Sequence, residues 1–252
     1  MTSPELILDI RTFCRANADP AIVQKYSRYF KEGYAGYGLP TGLFRDKVKE
    51  LQASGELTMK TILEAAPDLI SSPNYEEPSF AMQLLKGFSR QFSKETFYAI
   101  EHWFAIGIRN WAHTDGLCSE LLTPMFLKGL FAMEDLSGWR FSSYPFQRRA
   151  VPVCLIKSAK KCTDILPYLA FLDPMMADRE RVVHQGLGWF LREAWKVHPA
   201  PVEKFLLTWN NAAARLIFQY ATEKMAKEER GRFRRTSGQA DNRSMNPDFV
   251  LS

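Results

Sequence analysis

The chain has 252 residues, of which 46% are apolar and 24% charged, and this ordinary globular composition excludes a protein that is disordered throughout. Its 33 Lys and Arg against 28 Asp and Glu give a formal charge of +5. Residues 224–235 hold six basic and two acidic side chains and supply +4 of that charge. The rest of the chain is nearly neutral, so the composition permits a nucleic-acid partner without requiring one.

The cysteines and the N-terminus argue for a soluble protein of the cytoplasm. Four cysteines in so long a chain are too few for a disulfide scaffold, and no Cys-x-x-Cys pair occurs, so we expect buried thiols at Cys14, Cys118, Cys154 and Cys162. Acidic residues stand in the N-terminal segment where a signal peptide needs a basic flank. No apolar run approaches the ~18 residues of a membrane-spanning helix.

Apolar residues recur at helical spacing along most of the chain, and no segment shows the alternation typical of a half-buried strand. Pro4 leads the first predicted helix, Asp19 and Pro20 open the second, and a third begins near Thr41. The remaining predicted helices cover residues 58–66, 79–91, 94–108, 115–132, 145–160, 162–172, 178–197, 199–208 and 211–228. The pattern predicts an all-α chain.

Many short helices joined by short turns favour a solenoid, because each helix pair then buries its neighbour. Trp111, Arg148 and Trp189 lie 37 and 41 residues apart, near the ~40-residue period of HEAT-like repeats. We therefore predict one helical-repeat domain over residues 1–227. Residues 228–252 lose the apolar periodicity and gain Arg, Gly, Ser and Asn, which predicts a flexible basic tail that either contacts phosphates or is simply solvated.

The sequence does not support a dinucleotide-binding site, a metal site or a serine nucleophile. The glycines of GYAGYG at 33–38 imitate a dinucleotide loop, but a helical pattern precedes them where that loop needs a strand, so we interpret them as a turn that ends a helix. The four histidines are scattered singly, which disfavours a metal site. No Gly-x-Ser-x-Gly turn is present, which disfavours a covalent serine intermediate.

Four segments together resemble the AlkD-like DNA alkylation repair family, the HEAT-like DNA glycosylases. They are KYSRYFKEGYAGYGLPTGLFR, IRNWAHTD, FQRRAV and GLGWFLREAW, in that order over residues 25–195. The second and fourth are the more specific. The chain departs from the family pattern at Ala112, where many relatives carry an acidic residue, and at Pro145 and Phe146, which replace a Trp-containing helix start.

The resemblance implies a single curved solenoid domain whose concave face binds duplex DNA. It also implies that Asp115 is the catalytic carboxylate and that Trp111 and Trp189 are aromatic walls beside the deoxyribose of the lesion. Arg148 would hold the DNA backbone, with Arg149 beside it, and Tyr29 would lie at the edge of the cleft. The family resemblance further implies a lesion that stays within the duplex, whereas many glycosylases extrude the base; the sequence leaves this open.

These residue types suit cleavage of the N-glycosidic bond of an alkylated purine. A purine alkylated on a ring nitrogen is already cationic and leaves without a general acid, so one carboxylate suffices to stabilise the oxocarbenium character that develops on the sugar. Tryptophan is the strongest aromatic partner for a cation. Trp111 and Asp115 are four residues apart, so in a helix they share a face.

Each residue also has a structural alternative. The tryptophans could fill seams between repeats, Asp115 could cap a helix that begins after HTD, and Arg148 and Arg149 could face solvent or pair with acids. Tyr29 could pack in the core, and Arg192 and Glu193 are interpreted as a structural pair.

The predicted function is a monomeric DNA glycosylase of base excision repair that acts on cationic alkylated purines in double-stranded DNA without a cofactor. It would be cytoplasmic, associate with the nucleoid and not bind membranes. The alternative is a non-catalytic HEAT-repeat module that binds distorted or branched DNA, or a protein partner, through the same face.

Overall fold

The computed structural model describes residues 1–31 and 33–235, which form two compact units. The first comprises Met1–Cys154, and the second begins at Leu155. All regular structure in the described ranges is helical, as the sequence predicts.

The first unit begins with eight helices. They are α1 (Ser3–Ala16), α2 (Pro20–Ser27), α3 (Thr41–Ala53), α4 (Met59–Ile70), α5 (Glu76–Lys86), α6 (Lys94–Ile106), α7 (Trp111–Leu117) and α8 (Thr123–Leu127). A π-helical stretch, Cys118–Leu122, joins α7 to α8, and 3-10 turns follow at Met133–Leu136 and Trp139–Phe141. Helix α9 (Pro145–Ala159) begins in this unit and ends in the second.

The helix starts follow from local capping chemistry. The Asp19 carboxylate accepts a hydrogen bond from the Ala21 amide at 2.8 Å, and Pro20 occupies the first position of α2, where its missing N–H has no partner to lose. Thr58 caps α4 in the same way through the Thr61 amide at 3.1 Å. The predicted starts of α1, α2 and α3 are confirmed.

Helix α4 lies at the centre of the first unit. Its inward face is fully buried at Ile62, Ala65, Ala66, Leu69 and Ile70, and it packs against α1, α5 and α6. Gly107, after α6, is required there because a Cβ atom would lie 1.7 Å from the Ile70 carbonyl oxygen.

The second unit contains α10 (Leu166–Leu172), α11 (Arg181–Trp195), α12 (Pro199–Trp209), α13 (Arg215–Ala221) and α14 (Lys227–Arg230). Its 3-10 turns cover Asp173–Ala177 and Gly231–Phe233. Gly188 lets α11 pack closely on α13, because a Cβ atom would lie 2.4 Å from Tyr220 Cβ and 2.7 Å from the Ile217 carbonyl oxygen.

The segment predicted as a flexible tail is folded where the structure describes it. Phe233 is 1% exposed, its carbonyl accepts from Arg215 Nη2 at 2.6 Å, and Arg232 pairs with Glu203 at 3.0 Å. One buried aromatic side chain thus anchors residues 228–235, whose other side chains are largely polar, and the flexibility of the tail stays a prediction. The remainder of the predicted tail, residues 236–252, lies outside the described residues.

The cysteine prediction is confirmed for three of the four thiols. Cys14, Cys118 and Cys154 are buried, whereas Cys162 is partly exposed. None of the helices in the described ranges combines the length and the apolar character that crossing a membrane requires.

Candidate functional site

The first turn of α7 sets the position of the Trp-x-x-x-Asp element. The Asn110 side-chain oxygen accepts from the His113 amide at 2.8 Å, so Asn110 is the N-cap and Trp111 is the first helical residue. The helix therefore begins four residues before Asp115, earlier than predicted. Asp115 lies within the helix, and the alternative that it caps a helix beginning after HTD is wrong.

Asp115 is held by a bidentate ion pair with α9. Arg149 Nε donates to one carboxylate oxygen at 2.9 Å and Arg149 Nη2 donates to the other at 2.8 Å. The Asp115 side chain is 18% exposed and that of Arg149 is 7% exposed. This fork geometry fixes both side chains, and it confirms the alternative that Arg149 pairs with an acid.

Trp111 and Asp115 share the face of α7 that is open to solvent. Trp111 is 38% exposed, and Ala112, Asp115 and Gly116 are partly exposed, whereas His113 is buried. The spacing of four residues brings the indole and the carboxylate onto this common face, as the sequence indicates.

One side of the Trp111 indole packs on an aromatic cluster. Its ring stacks on Phe30 at 5.6 Å between centroids and 19° between planes, and its Nε1 donates to the Tyr29 carbonyl at 3.3 Å. Tyr34 lies 4.9 Å from Phe30 and 5.4 Å from Tyr75. Trp111 is thus fixed by its neighbours but is not buried in a seam.

These rings line a solvent-open cavity of about 560 Å³, which we call the aromatic cavity. Its defining residues are Tyr26, Phe30, Tyr34, Tyr75, Glu76 and Trp111, and Ala112 and Gly116 of α7 also line it. The cavity therefore adjoins the helix face that carries Asp115.

Glu76 contributes a buried carboxylate to this cavity. It is 5% exposed and accepts from the backbone amides of Tyr37 at 2.8 Å, Gly38 at 2.8 Å and Leu39 at 3.1 Å. Within the described part of the chain, no Lys or Arg pairs with it. Sequence reasoning missed Glu76, because its role depends on a loop that is distant in sequence.

The loop held by Glu76 is the glycine segment that imitates a dinucleotide motif. Gly33 and Gly38 adopt φ values of 96° and 77°, which favour glycine, and helix α2 precedes them. The interpretation as a turn after a helix is confirmed. A Cβ atom on Gly36 would lie 2.9 Å from a Glu76 carboxylate oxygen, so the close approach of this carboxylate also needs glycine.

His113 supports the site from below the exposed face of α7. Its Nε2 lies 2.9 Å from the Tyr75 carbonyl and therefore donates, while its Nδ1 accepts from the Asn110 amide group at 2.8 Å. The ring also stacks on Tyr75 at 4.4 Å. Burial lowers the pKa of His113 to about 4, so the imidazole is neutral near pH 7.

Tyr29 and Arg148 lie at or near the surface. Tyr29 is 53% exposed, with the Arg28 guanidinium 5.0 Å above its ring, so the alternative that it packs in the core is wrong. Arg148 is partly exposed in the first turn of α9, and its Nη1 donates to the Ser142 carbonyl at 2.6 Å.

Trp189 belongs to the second unit, where it is partly exposed on α11. The neighbouring Arg192 and Glu193 form a structural ion pair at 3.2 Å, as predicted. Lys160 and Lys196 also contact Glu193, at 3.3 Å and 2.8 Å. The structure brings Trp111, Asp115 and Arg149 together, and the participation of Trp189 in the same site stays a prediction.

The described residues contain no group of three or more His, Cys, Asp or Glu side chains arranged to hold a metal ion. The organic groups available at α7 are thus one oriented carboxylate, one guanidinium and a wall of aromatic rings.

This geometry defines a class of protein: a helical-repeat protein with a carboxylate and arginine pair beside an exposed indole. The family model described as DNA alkylation repair enzyme matches residues 10–225, and the chain belongs to that family. A comparison with curated proteins gave no match.

Two solved structures have a similar fold. One is described as a predicted DNA alkylation repair enzyme from Enterococcus faecalis, with 18% identity and a TM-score of 0.68 over 84% of this chain and 98% of that one. The other is AlkD2 from Streptococcus mutans, with 18% identity and a TM-score of 0.54 over 81% of this chain and 97% of that one. The predicted HEAT-like helical-repeat fold is confirmed.

Proposed function

We propose that this protein is a DNA glycosylase that hydrolyses the N-glycosidic bond of cationic alkylated purines, the 3-alkyladenine and 7-alkylguanine class, in duplex DNA. The observation that carries the proposal is the Asp115 carboxylate, fixed by Arg149 on the same exposed helix face as Trp111. Family membership supports a role in DNA alkylation repair.

The charge moves during this reaction from the base to the sugar. An alkylated purine departs as a neutral molecule, and the deoxyribose that remains develops oxocarbenium character. A carboxylate that is oriented before the reaction stabilises that charge without reorganisation. Water then adds to the sugar carbon and leaves an abasic site, so the reaction as proposed consumes water alone and needs no cofactor.

Arg149 acts in this scheme as a positioning residue. Its guanidinium occupies one lone pair on each oxygen of Asp115, which leaves the second lone pair of each oxygen for the sugar and the attacking water. The arginine also fixes the rotamer of the carboxylate, because two parallel hydrogen bonds define a plane.

The indole of Trp111 supplies the second interaction with the sugar cation. A desolvated contact between a cation and a tryptophan face contributes up to ~2 kcal/mol, and it is stronger for the cationic transition state than for the neutral sugar. We assign the same role to Trp189 on the basis of its Gly-Trp-x-Leu-Arg-Glu motif. Arg148 and Tyr29 are proposed contacts to the DNA backbone near the lesion.

The activity test is release of alkylated base from methylated duplex DNA. We expect the wild-type protein to release base, and we expect Asp115→Asn to lower the single-turnover rate by about 10²- to 10³-fold, because the amide cannot balance the sugar charge. Asp46→Asn is the control, since Asp46 is a solvent-exposed acid of the same unit that forms an ion pair with Lys49 at 3.6 Å.

Equal rates for Asp115→Asn and the wild type would remove Asp115 from the mechanism. A wild-type protein that binds DNA and releases no base from any alkylated substrate would contradict glycosylase activity altogether. That result would favour a non-catalytic helical-repeat module for distorted or branched DNA.

A further inference from the structure

The turn in front of α9 exposes two aromatic side chains. Phe141 is 67% exposed, the largest value among the large apolar side chains of the described residues, and Tyr144 is 41% exposed. We call residues 139–144 the Phe141 turn. Two exposed rings on one short turn form an apolar surface of the kind that binds a partner, and the reaction at the sugar gives this surface no task.

The Phe141 turn is fixed to the core of the first unit. Trp139 is 2% exposed, and its ring stacks on Phe97 at 5.2 Å between centroids and 7° between planes. Its Nε1 donates to the Glu101 carboxylate at 2.5 Å. The Ser142 hydroxyl accepts from the Tyr144 amide at 3.1 Å. The exposed rings therefore stand on a support that loses little conformational entropy when a partner binds.

The same turn is joined to the helix that positions Asp115. Arg148 Nη1 donates to the Ser142 carbonyl at 2.6 Å, and the Ser142 hydroxyl donates to the Gln147 side-chain oxygen at 2.5 Å. The next residue of α9, Arg149, holds the Asp115 carboxylate. The backbone of a DNA strand whose reacting sugar lies at Asp115 therefore passes within reach of the Phe141 turn.

The charge around the Phe141 turn is positive. Residues 136–156 hold three arginines and no acidic residue. Arg140 and Arg148 flank the turn in sequence, and the Arg140 guanidinium lies 5.3 Å from the centroid of the Phe141 ring. The backbone of DNA combines phosphate charge with the apolar C–H faces of deoxyribose, and a ring beside a guanidinium matches both.

We propose that the Phe141 turn binds the sugar–phosphate backbone of duplex DNA next to the nucleotide at Asp115. Phe141 and Tyr144 pack on deoxyribose faces, and Arg140 attracts a neighbouring phosphate. The contact is made from outside the duplex, so every base stays paired and stacked. This inference rests on the proposed function for its duplex partner, and it adds a surface that holds the DNA beside the reacting sugar.

The test separates apolar from ionic contacts by their salt dependence. Binding of a short unmodified duplex is measured by fluorescence anisotropy over a range of salt concentrations. Phe141→Ala removes apolar surface and no charge, so we expect about tenfold weaker binding with an unchanged salt slope. Arg140→Met removes one charge, so we expect the slope of log K against log salt to fall in magnitude by about 0.9.

Lys94 and Tyr98 of α6 supply a matched control pair. Tyr98 is 50% exposed, and the Lys94 ammonium lies 6.0 Å from its ring centroid, so a cation again accompanies an exposed ring. Among the described residues Lys94 pairs with Asp135, and no hydrogen bond or ion pair joins either control residue to α7 or α9. We expect Tyr98→Ala and Lys94→Met to keep the wild-type affinity and salt slope. Thermal unfolding verifies that each variant is folded.

Wild-type affinity in folded Phe141→Ala would overturn the proposal. Equal weakening by Tyr98→Ala would also overturn it, because exposed rings would then act regardless of their position. A wild-type protein that binds no duplex would overturn the contact surface together with the DNA partner.

Base release distinguishes this inference from the proposed function. Duplex binding that depends on Phe141, in a protein that releases no base from methylated DNA, supports the contact surface and contradicts the glycosylase. Base release by a wild-type protein whose duplex affinity is unchanged in Phe141→Ala supports the glycosylase and overturns the contact surface.

Discussion

Two carboxylate and arginine pairs, one in each unit, differ in what surrounds the acid. Among the described residues Asp115 contacts one cation, Arg149, and it lies beside Trp111 and the aromatic cavity. Glu193 is surrounded by Arg192, Lys160 and Lys196. Burial alone would raise the pKa of Glu193, but hydrogen bonds from its three cationic neighbours outweigh that effect and lower it.

Under the proposed function, this difference separates Asp115, an acid that can stabilise a further positive charge, from Glu193, one that cannot. Three cations saturate the charge of Glu193, so its role is to hold α11 to its neighbours. One bidentate arginine orients Asp115 and supplies a single positive charge, whereas Glu193 faces three. The solvent-exposed face of α7 leaves space beside Asp115 for the cationic sugar of the proposed reaction. The comparison predicts that equivalent substitutions will act differently in the two units.

The largest expected effect comes from removing Arg149, and the matched variant removes Arg192. Arg149→Met leaves the carboxylate of Asp115 partly buried without a partner, and we expect the free energy of unfolding to fall by about 3 kcal/mol. Arg192→Met leaves Glu193 with two lysines, so we expect a loss of no more than about 1 kcal/mol. Urea unfolding of both variants measures the two values. Similar losses would show that the two pairs have equivalent structural roles.

A second prediction concerns pH and the buried His113. Its pKa in the folded state is lowered to about 4 from the ordinary 6.5, so folding favours the neutral form. The contribution is fully present above pH 6.5 and is lost as the pH falls toward 4, by about 3 kcal/mol in total.

The variant His113→Gln measures this contribution, because glutamine hydrogen bonds but does not titrate in this range. We expect the wild-type free energy of unfolding to fall more steeply than that of the variant between neutral pH and about pH 4.5. Parallel pH profiles would show that the imidazole is not neutral and buried as described.

The smallest expected effects are those of two helical glycines. Gly188→Ala forces a methyl group against Tyr220 and the Ile217 carbonyl, and we expect a destabilisation of about 1–3 kcal/mol. Gly116→Ala enters open space in α7, and we expect stabilisation by up to about 1 kcal/mol. Thermal unfolding of the two variants measures both effects. Destabilisation by Gly116→Ala would mean that the space beside Asp115 is filled.

The helical architecture follows largely from local sequence signals. Asp19 and Pro20 mark the start of a helix, and the apolar spacing marks its buried face. Both signals are local in sequence, and both correctly predict helices. The sequence predicts the start of α7 four residues too late, because Asn110 is as good an N-cap as the residues of HTD and only the fold selects between them. The buried Phe233 likewise depends on a packing partner distant in sequence.

The site was predictable in its types of residue but not in its geometry. The segment FQRRAV offers two adjacent arginines, and neighbours on a helix point about 100° apart, so only packing decides which one faces Asp115. The structure shows that Arg149 is the one paired with Asp115, and the contact of Arg148 with the DNA backbone stays a prediction. Glu76 was invisible because three backbone amides of the glycine loop, some forty positions earlier, give it its role.

The most direct test of the central claim compares the two acids in one assay. Single-turnover release of base from methylated duplex DNA is measured for Asp115→Asn and Glu193→Gln, with folding of both variants verified by unfolding. We expect Asp115→Asn to lose about 10²-fold or more and Glu193→Gln to stay within about threefold of the wild type. Equal losses in the two variants, or full activity in Asp115→Asn, would contradict the account.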